Sequence, residues 1–470
     1  IWVGTDDGRL QITQNGGESW VDITPRNLKG AQINAIDVSP HEPGVAYIAV
    51  AGYKMNDFRP YIYKLTDYGK RWTRLDGDLP DDNFVRVVRA DPEKEGLLYA
   101  GSEGGLFVSF NDGDHWQSLD MNFPTVPITD LRVRQNTLVA ATQGRGFWAL
   151  DELTVIRQLT ASLTEKKVHV FEPKPTTLMR WSGRGGANKG KNPLSGVVLS
   201  YFIGDEIEGP LSIQILNKDG DLVRTYSSEE REFDRCVIGN LTPRLAYTMS
   251  YPTMKQGINN WSWDMRKDGL TCIDDIRLFA GFSGPTVTPG QYSVSVRIGD
   301  HSDSTDFVLS ADPRVDASPD DYAFLDTKRS EAAAMLNELL QALNNARTAR
   351  DRIEALVLDS GDNESLKALS AKAINKLNAW ENLVTQTGYK TYEDEDSMPP
   401  MLDVHIRHVF DVIDRAGAPV SEGSLQRLAD LSEQWHVAKA QLLAITENEL
   451  QRINEWAREN NLAHIVAPLD

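Results

Sequence analysis

The chain has 470 residues, too many for one hydrophobic core, and its length suggests about three domains. Its 40% apolar and 25% charged residues are an ordinary globular composition, and no run of about 18 apolar residues exists to cross a membrane. A formal net charge of −19 argues against general nucleic-acid binding, which needs a basic footprint.

The chain opens on Ile1, with no charged and apolar leader before its first strand; a secretion signal is therefore expected upstream. The stretch TQNGGESW (13–20) recurs as SFNDGDHW (109–116) and, with Leu65 in the hydroxyl position, as LTDYGKRW (65–72). Thr13 or Ser109 is followed by an amide or acid (Asn15, Asp67, Asn111), then by Gly17, Gly69 or Gly113, and finally by Trp20, Trp72 or Trp116. This composition predicts a tight turn between two strands. The Asn or Asp closes an Asx-turn, Gly takes a positive φ, and the Trp packs under the next strand.

Between the turns, INAIDVSPHEPGVAYIAVAG (33–52), FVRVVRADPEKEGLLYAGS (84–102) and a shortened ITDLRVRQNTLVAATQGRG (128–146) alternate apolar and polar residues. Ser39-Pro40 and Asp91-Pro92 mark equivalent strand ends. Four short strands per repeat of about 45–50 residues is the pattern of a propeller blade. Residues 1–160 supply two complete blades and two partial ones, fewer than the roughly four a closed ring needs. The missing blades are expected from the same precursor or from a second chain.

The turn pattern matches the Asp box, the bacterial neuraminidase repeat of β-propellers. Together with the propeller exit GRGFWALDELTVIRQL (144–159), GINNWSWDMR (257–266), TPGQYSVSVRIGD (288–300) and ADPRV (311–315), it resembles the large secreted proteins labelled as glycosyl hydrolases with Asp-box repeats. These are related in fold to sortilin-type receptors and to xyloglucanases. The resemblance implies that the boxes are structural, on the blade periphery, and that Asn15, Asp67 and Asn111 are not catalytic. It implies a secreted or periplasmic protein, without identifying catalytic carboxylates. Asp81-Asp82 and Arg145 are candidates for a ligand-facing loop and a channel, with solvated turns as the simpler reading.

In residues 161–316, short strands with regular turns predict an immunoglobulin-like β-sandwich, with a hairpin at KDGD (218–221). Trp261 and Trp263 share one strand face and read as packing, a carbohydrate platform being the alternative. SGRGGANKGKNP (182–193) reads as a surface loop and the one basic patch. Cys236 and Cys272 are the only cysteines; a bridge between them would close a loop of about 36 residues. In residues 317–470, apolar stripes through Leu336–Val357, Leu366–Val384, Met401–Ala416 and Leu425–Trp456 predict an antiparallel four-helix bundle. EDED (393–396), His405 and His408 lack the spacing of a metal site, so neither metal nor cofactor is expected.

The sequence as a whole points to a ligand-, glycan- or protein-binding scaffold. The alternatives are a polysaccharide-cleaving glycoside hydrolase completed by the missing blades and a peptide-binding receptor of sortilin type.

Overall fold

The computed structural model describes residues 1–25, 28, 30–119, 121–179, 194–229, 251–278, 281–361, 363–389 and 394–462. The chain forms two compact units, Ile1–Thr160 and Ala161–Asp470.

The first unit is a succession of antiparallel sheets. β1 (Trp2–Gly4), β2 (Leu10–Ile12) and β3 (Val21–Asp22) make a three-stranded sheet. β4 (Gln32–Val38), β5 (Ala46–Ala51), β6 (Ile62–Thr66) and β7 (Arg71–Arg74) make a four-stranded one, paired in sequence order. β8 (Val85–Ala90), β9 (Leu98–Ser102), β10 (Leu106–Ser109) and β11 (Gln117–Ser118) repeat it, and β12 (Ile128–Arg134), β13 (Thr137–Thr142) and β14 (Phe147–Leu150) make a last three-stranded sheet. β4 packs against β1 and β8, and β12 packs against β8 and β9, so each sheet covers its neighbour. This is why AYIAVA in β5 is buried at every position rather than alternating.

The first strands share a device that the sequence pattern does not display. β4, β8 and β12 each carry a β-bulge, between Ile33 and Ala35, Val85 and Val87, and Ile128 and Asp130. A small residue then lets the next sheet approach. A Cβ on Gly101 would lie 2.5 Å from Ile128 Cγ2, and one on Gly4 would lie within the same range of Ile33. Neither position tolerates a side chain without movement.

After β14 the chain turns through the short helix α1 (Thr154–Gln158). Arg157 pins it back: its Nε donates to both Asp91 oxygens at 3.0 and 3.1 Å, and Nη1 donates to Glu93 at 2.6 Å. Asp91 is fully buried, and Tyr99 Oη donates to it as well. Burial beside this carboxylate pushes the Tyr99 phenol far up.

In the second unit β15 (Val168–Val170), β17 (Val197–Ile203) and β20 (Gly257–Trp263) form one sheet. β16 (Thr176–Thr177), β18 (Leu211–Asn217), β19 (Leu222–Ser227), β21 (Gly290–Ile298) and β22 (His301–Ser310) form the other, in the order β16-β22-β21-β18-β19. Inward residues of both, among them Leu199, Tyr201, Ile213, Val294 and Phe307, share one apolar core. The β18–β19 turn is built as its residues dictate: Asn217 Oδ1 accepts from the Asp219 and Asp221 amides, and Gly220 takes φ 84°.

The helices are α2 (Pro319–Asp359), α3 (Glu364–Val384), the single-turn α4 (Asp394–Ser397), α5 (Leu402–Ala416), α6 (Glu422–Ile445) and α7 (Gln451–Glu459). Ser318 and Asp321 form a reciprocal capping box, while Asn363 and Ser421 cap α3 and α6. The single last helix expected from the apolar stripe is interrupted by a π-turn at Thr446–Leu450. There Glu449 is nearly buried and accepts from Lys376 Nζ of α3 at 2.6 Å.

Candidate functional site

The Trp-bearing turns define one end of the sheets in the first unit. In two of them the hydrogen bonding is the same. Thr13 Oγ1 donates to Asn15 Oδ1 at 2.9 Å, the Gly17 amide donates to Thr13 Oγ1, and the Ser19 amide donates to Asn15 Oδ1. Ser109, Asn111, Gly113 and His115 reproduce these bonds at 2.8–3.0 Å. The copy lacking the hydroxyl differs. Without a Thr or Ser at Leu65, Asp67 makes no Asx bond but pairs with Lys70 at 3.5 Å, and Asp67, Tyr68 and Gly69 all take positive φ.

The tryptophans differ in environment. Trp116 is buried and donates through Nε1 to the Leu75 carbonyl, whereas Trp72 donates to Gly69 within its own turn at 3.0 Å. Trp20 is 42% exposed, and Ile1 and Val3 of the same sheet are exposed on its outer face, while Val21 lies on the other face with its partner Ile12.

An antiparallel meander sends loops 5–9, 52–61, 75–84, 103–105 and 143–146 to the opposite end of the sheets. There the side chains are of another kind. Tyr53, Met55 and Phe58 are large, apolar and 37–50% exposed. The Tyr53 ring stacks on Phe84 at 5.0 Å between centroids, and Phe58 tilts against the same ring at 6.3 Å. Arg86 covers Phe84 with its guanidinium 5.1 Å from the ring centre and pairs with Glu103 at 2.7 Å. Arg86 and Asn34 are bulge residues of β8 and β4, and Asn34 Nδ2 donates to the Arg86 carbonyl at 2.7 Å. A bulge re-aims a side chain that regular pleating would bury or turn away. Asn83 Oδ1 fixes the 103–105 loop by accepting from the Gly104 amide at 2.6 Å.

Below the aromatic rings, Asp57 takes a bidentate pair from Arg59 (2.9 and 2.7 Å) and a 2.7 Å bond from Tyr61 Oη. The Arg59 hydrogen bonds, followed by that from Tyr61, hold its carboxyl well below the usual range, so Asp57 is an acceptor and not a proton donor near neutral pH. The resulting surface offers rings for stacking, a guanidinium, an amide and carboxylates. That is the equipment for a polar ligand with apolar faces.

Other sequence candidates fall elsewhere. Asp81 and Asp82 are exposed in the loop leading to Phe84. Arg145 is exposed in a turn where its carbonyl accepts from Trp148 Nε1 at 3.2 Å. Trp261 and Trp263 are buried in the sandwich core, against Tyr226 and Tyr292, and offer no stacking surface. His405 is held below its ordinary pKa by burial and by Arg427 and His408. Among the described residues, no group of three or more His, Cys, Asp or Glu side chains could hold a metal ion. Cys272 packs against the helical core, whereas Cys236 and the basic stretch 182–193 lie outside the described residues. Sequence reasoning missed Tyr53, Phe58, Phe84 and Arg86. The one available signal was the 52-residue spacing of Asn34 and Arg86, equal to that of Ser39 and Asp91.

No helix among the described residues is long and apolar enough to cross a membrane. No family model matches the chain. Over 114 residues it is 27% identical to the oligoxyloglucan-reducing end-specific xyloglucanase of Emericella nidulans, a match covering 24% of this chain. The match takes in only 14% of the length of that curated relative. Among solved structures, the GH74 enzyme of Niastella koreensis is similar at 14% identity and a TM-score of 0.27, covering 66% of this chain and 43% of that one. The GH74 xyloglucanase of Xanthomonas campestris is similar at 15% identity and a TM-score of 0.27, covering 65% and 41%. YCF48 bound to D1 peptide is similar at 20% identity and a TM-score of 0.25, covering 32% and 46%.

Proposed function

We propose that residues 1–160 are blades of an Asp-box β-propeller, followed by an immunoglobulin-like sandwich (161–316) and a four-helix bundle (317–470), and that the protein binds glycan outside the cytoplasm, secreted or periplasmic. The carrying observation is the exposed Tyr53–Met55–Phe58 surface over Phe84, flanked by Arg86, Glu103 and Asn34. Sugar rings present C–H faces to aromatic side chains and hydroxyls to charged and amide groups, and this surface supplies both partners. Further blades, from the same precursor or a second chain, are the partner that the exposed Ile1–Val3–Trp20 face fits. In the third sheet, the corresponding Trp116 is buried against its neighbour.

The test is calorimetric titration of the full-length protein with a neutral oligosaccharide panel that includes xyloglucan fragments. Tyr53→Ala with Phe58→Ala should weaken the best ligand about tenfold or more, since stacking on one aromatic side chain is worth roughly 1–3 kcal/mol for a nucleobase and two such rings are removed from the sugar here. Unchanged affinity in the double variant would remove this surface from the reading.

The 27% identity to a xyloglucanase favours one alternative, a glycoside hydrolase acting on polysaccharide. Such chemistry needs two carboxyls about 5–10 Å apart, one of them protonated before the reaction. Asp57 does not fit the acid role; the exposed Asp81 and Asp82 are the neighbouring carboxyls to substitute first. Release of reducing ends from xyloglucan, lost in a single carboxylate variant, would replace the binding reading with this one.

A further inference from the structure

The second unit contains a larger cleft, where the edge of the sandwich meets α2 and the end of α5. Its cavity volume is about 710 Å³, within the range of roughly 300–1,000 Å³ typical of small-molecule sites. The floor is polar and ionic. Asp414, from the last turn of α5, accepts from the Thr286 amide at 2.9 Å and from Thr286 Oγ1 at 3.0 Å. It also pairs with Arg329 of α2 and Arg266 of the sandwich, both at 3.1 Å. Arg329 and Asp414 are each only 4% exposed in their side chains, so this is a fixed ionic joint and not a mobile surface pair.

The rim has a different charge layout. Asp312 is 11% exposed, while its partner Arg314 is 66% exposed and spends Nε and Nη2 on it. Arg415 is 70% exposed and is tied through Nε to Asp411. Arg266 uses Nη1 for Asp414 and the Gly284 carbonyl and is 31% exposed. In these three pairs the carboxylate is the deeper partner and the guanidinium the shallower one, whereas Asp264, on the sandwich side of the cleft, is 51% exposed and its partner Arg224 is buried. In a chain of net charge −19, the cleft therefore shows solvent guanidinium edges at Arg314 and Arg415 and one carboxylate, Asp264, on the sandwich side. Between them the walls are apolar: Leu178, Met179, Met265, Val315 and Tyr322.

We propose that this cleft is a binding site for a small organic carboxylate with an apolar body. The carboxylate would be held by Arg314 and Arg415, whose planar forks match it in two-point contact. The apolar body would lie on Met265, Val315 and Tyr322. The occupant is anionic because the exposed Arg314 and Arg415 guanidiniums, each bound on one edge to its own carboxylate, keep outer N–H groups for a further acceptor. A phosphate or sulfate ion alone would leave the apolar walls uncovered. The site is separate from the aromatic surface of the first unit and does not depend on that surface binding glycan.

The experiment is calorimetric titration of the full chain with phenylbutyrate, phenylbutyramide and inorganic sulfate. Phenylbutyrate should bind about tenfold or more tightly than either control, the range expected of charge-assisted hydrogen bonds. Arg314→Gln with Arg415→Gln should remove that preference; because Arg314→Gln also withdraws the bidentate partner of the nearly buried Asp312, Arg415→Gln alone, at the exposed rim, is the companion variant and should lower the preference with the thermal midpoint near wild type. Absence of phenylbutyrate binding, equal binding of acid and amide, or an unaltered preference in the double variant each overturns the proposal. Sulfate binding as tightly as phenylbutyrate would overturn the assignment of an apolar body.

Discussion

Asp403 provides a direct test of how burial sets the pH dependence of this fold. It stands in the first turn of α5 with 1% exposure, accepting from Thr385 Oγ1 at 2.6 Å and from the Val404 amide at 2.7 Å. Burial raises its carboxyl from 3.8 to about 6; the two hydrogen bonds and Arg347 oppose the rise but do not cancel it. The sign follows from proton counting. Between pH 4 and 6 the folded state holds a proton that the unfolded state has released, so stability falls as pH rises through this window and the penalty is fully present above pH 6. At about 1.36 kcal/mol per pH unit the penalty is roughly 3 kcal/mol at pH 7. Asp403→Asn removes the ionisation and keeps an acceptor for one of the two donors. Its stability relative to wild type should therefore improve by roughly 2–3 kcal/mol on going from pH 4 to pH 7. Urea unfolding followed by the far-ultraviolet helical signal at four pH values reads this difference. A difference between variant and wild type that stays flat across the window, or falls with pH, would refute the reasoning.

Three other predictions follow from single contacts. Trp116→Ala should cost the first unit roughly 3–5 kcal/mol, because it empties a buried ring site and strands the Leu75 carbonyl, whereas Trp20→Ala should cost well under 1 kcal/mol in this chain; thermal unfolding compares them. Asp414→Ala leaves Arg329 and Arg266 without their shared anion and should destabilise the second unit by about 3–5 kcal/mol in a urea titration, more than Arg415→Ala at the exposed rim. Cys236 and Cys272 should be bridged to each other, so non-reducing peptide mapping should recover them as one linked pair. Two alkylated thiols would contradict this.

Much of the sheet order was legible because each strand alternates over short runs and each turn carries its own chemistry. The 52-residue recurrence of Ser39 and Asp91 has a physical basis: Ser39 Oγ accepts from the amides two and three residues on, as Asp91 Oδ1 does in the next sheet. The helices were legible from their apolar stripes and caps. The π-turn was not read, although its extra residue moves the stripe by one place: the buried positions run Ala438, Leu442, Ile445 and then Leu450, Ile453, Ala457, with Glu449 nearly buried at the step. Asp67 was misjudged in detail: its acid occupies the Asn position, but the missing hydroxyl at Leu65 removes the anchor for the turn. The candidate surface was illegible for another reason. Tyr53 and Phe58 lie in an aperiodic loop, and their common partner Phe84 is remote in sequence. Asp414 was equally hidden, because its partners Arg266, Thr286 and Arg329 lie 85 or more residues away.

The repeated bulge links architecture to the proposed site. A regular first strand would place Asn34 and Arg86 in strict alternation with the buried residues on either side. The bulge frees each from that pattern at the same end of consecutive sheets. The bulges are also joined, through the bond from Asn34 Nδ2 to the Arg86 carbonyl. That bond fixes the backbone of the residue whose guanidinium covers Phe84 and meets Glu103. Asn34→Ala should therefore act at a distance. It leaves a half-buried carbonyl without its donor, a loss of roughly 1–3 kcal/mol in stability, and it loosens Arg86 without touching Tyr53 or Phe58. If the aromatic surface and the bulge pair form one site, glycan affinity falls in Asn34→Ala and falls no further when Arg86→Ala is added. If the bulges serve only sheet packing, the two substitutions lower stability and leave affinity where it was, and the calorimetric titration separates these outcomes.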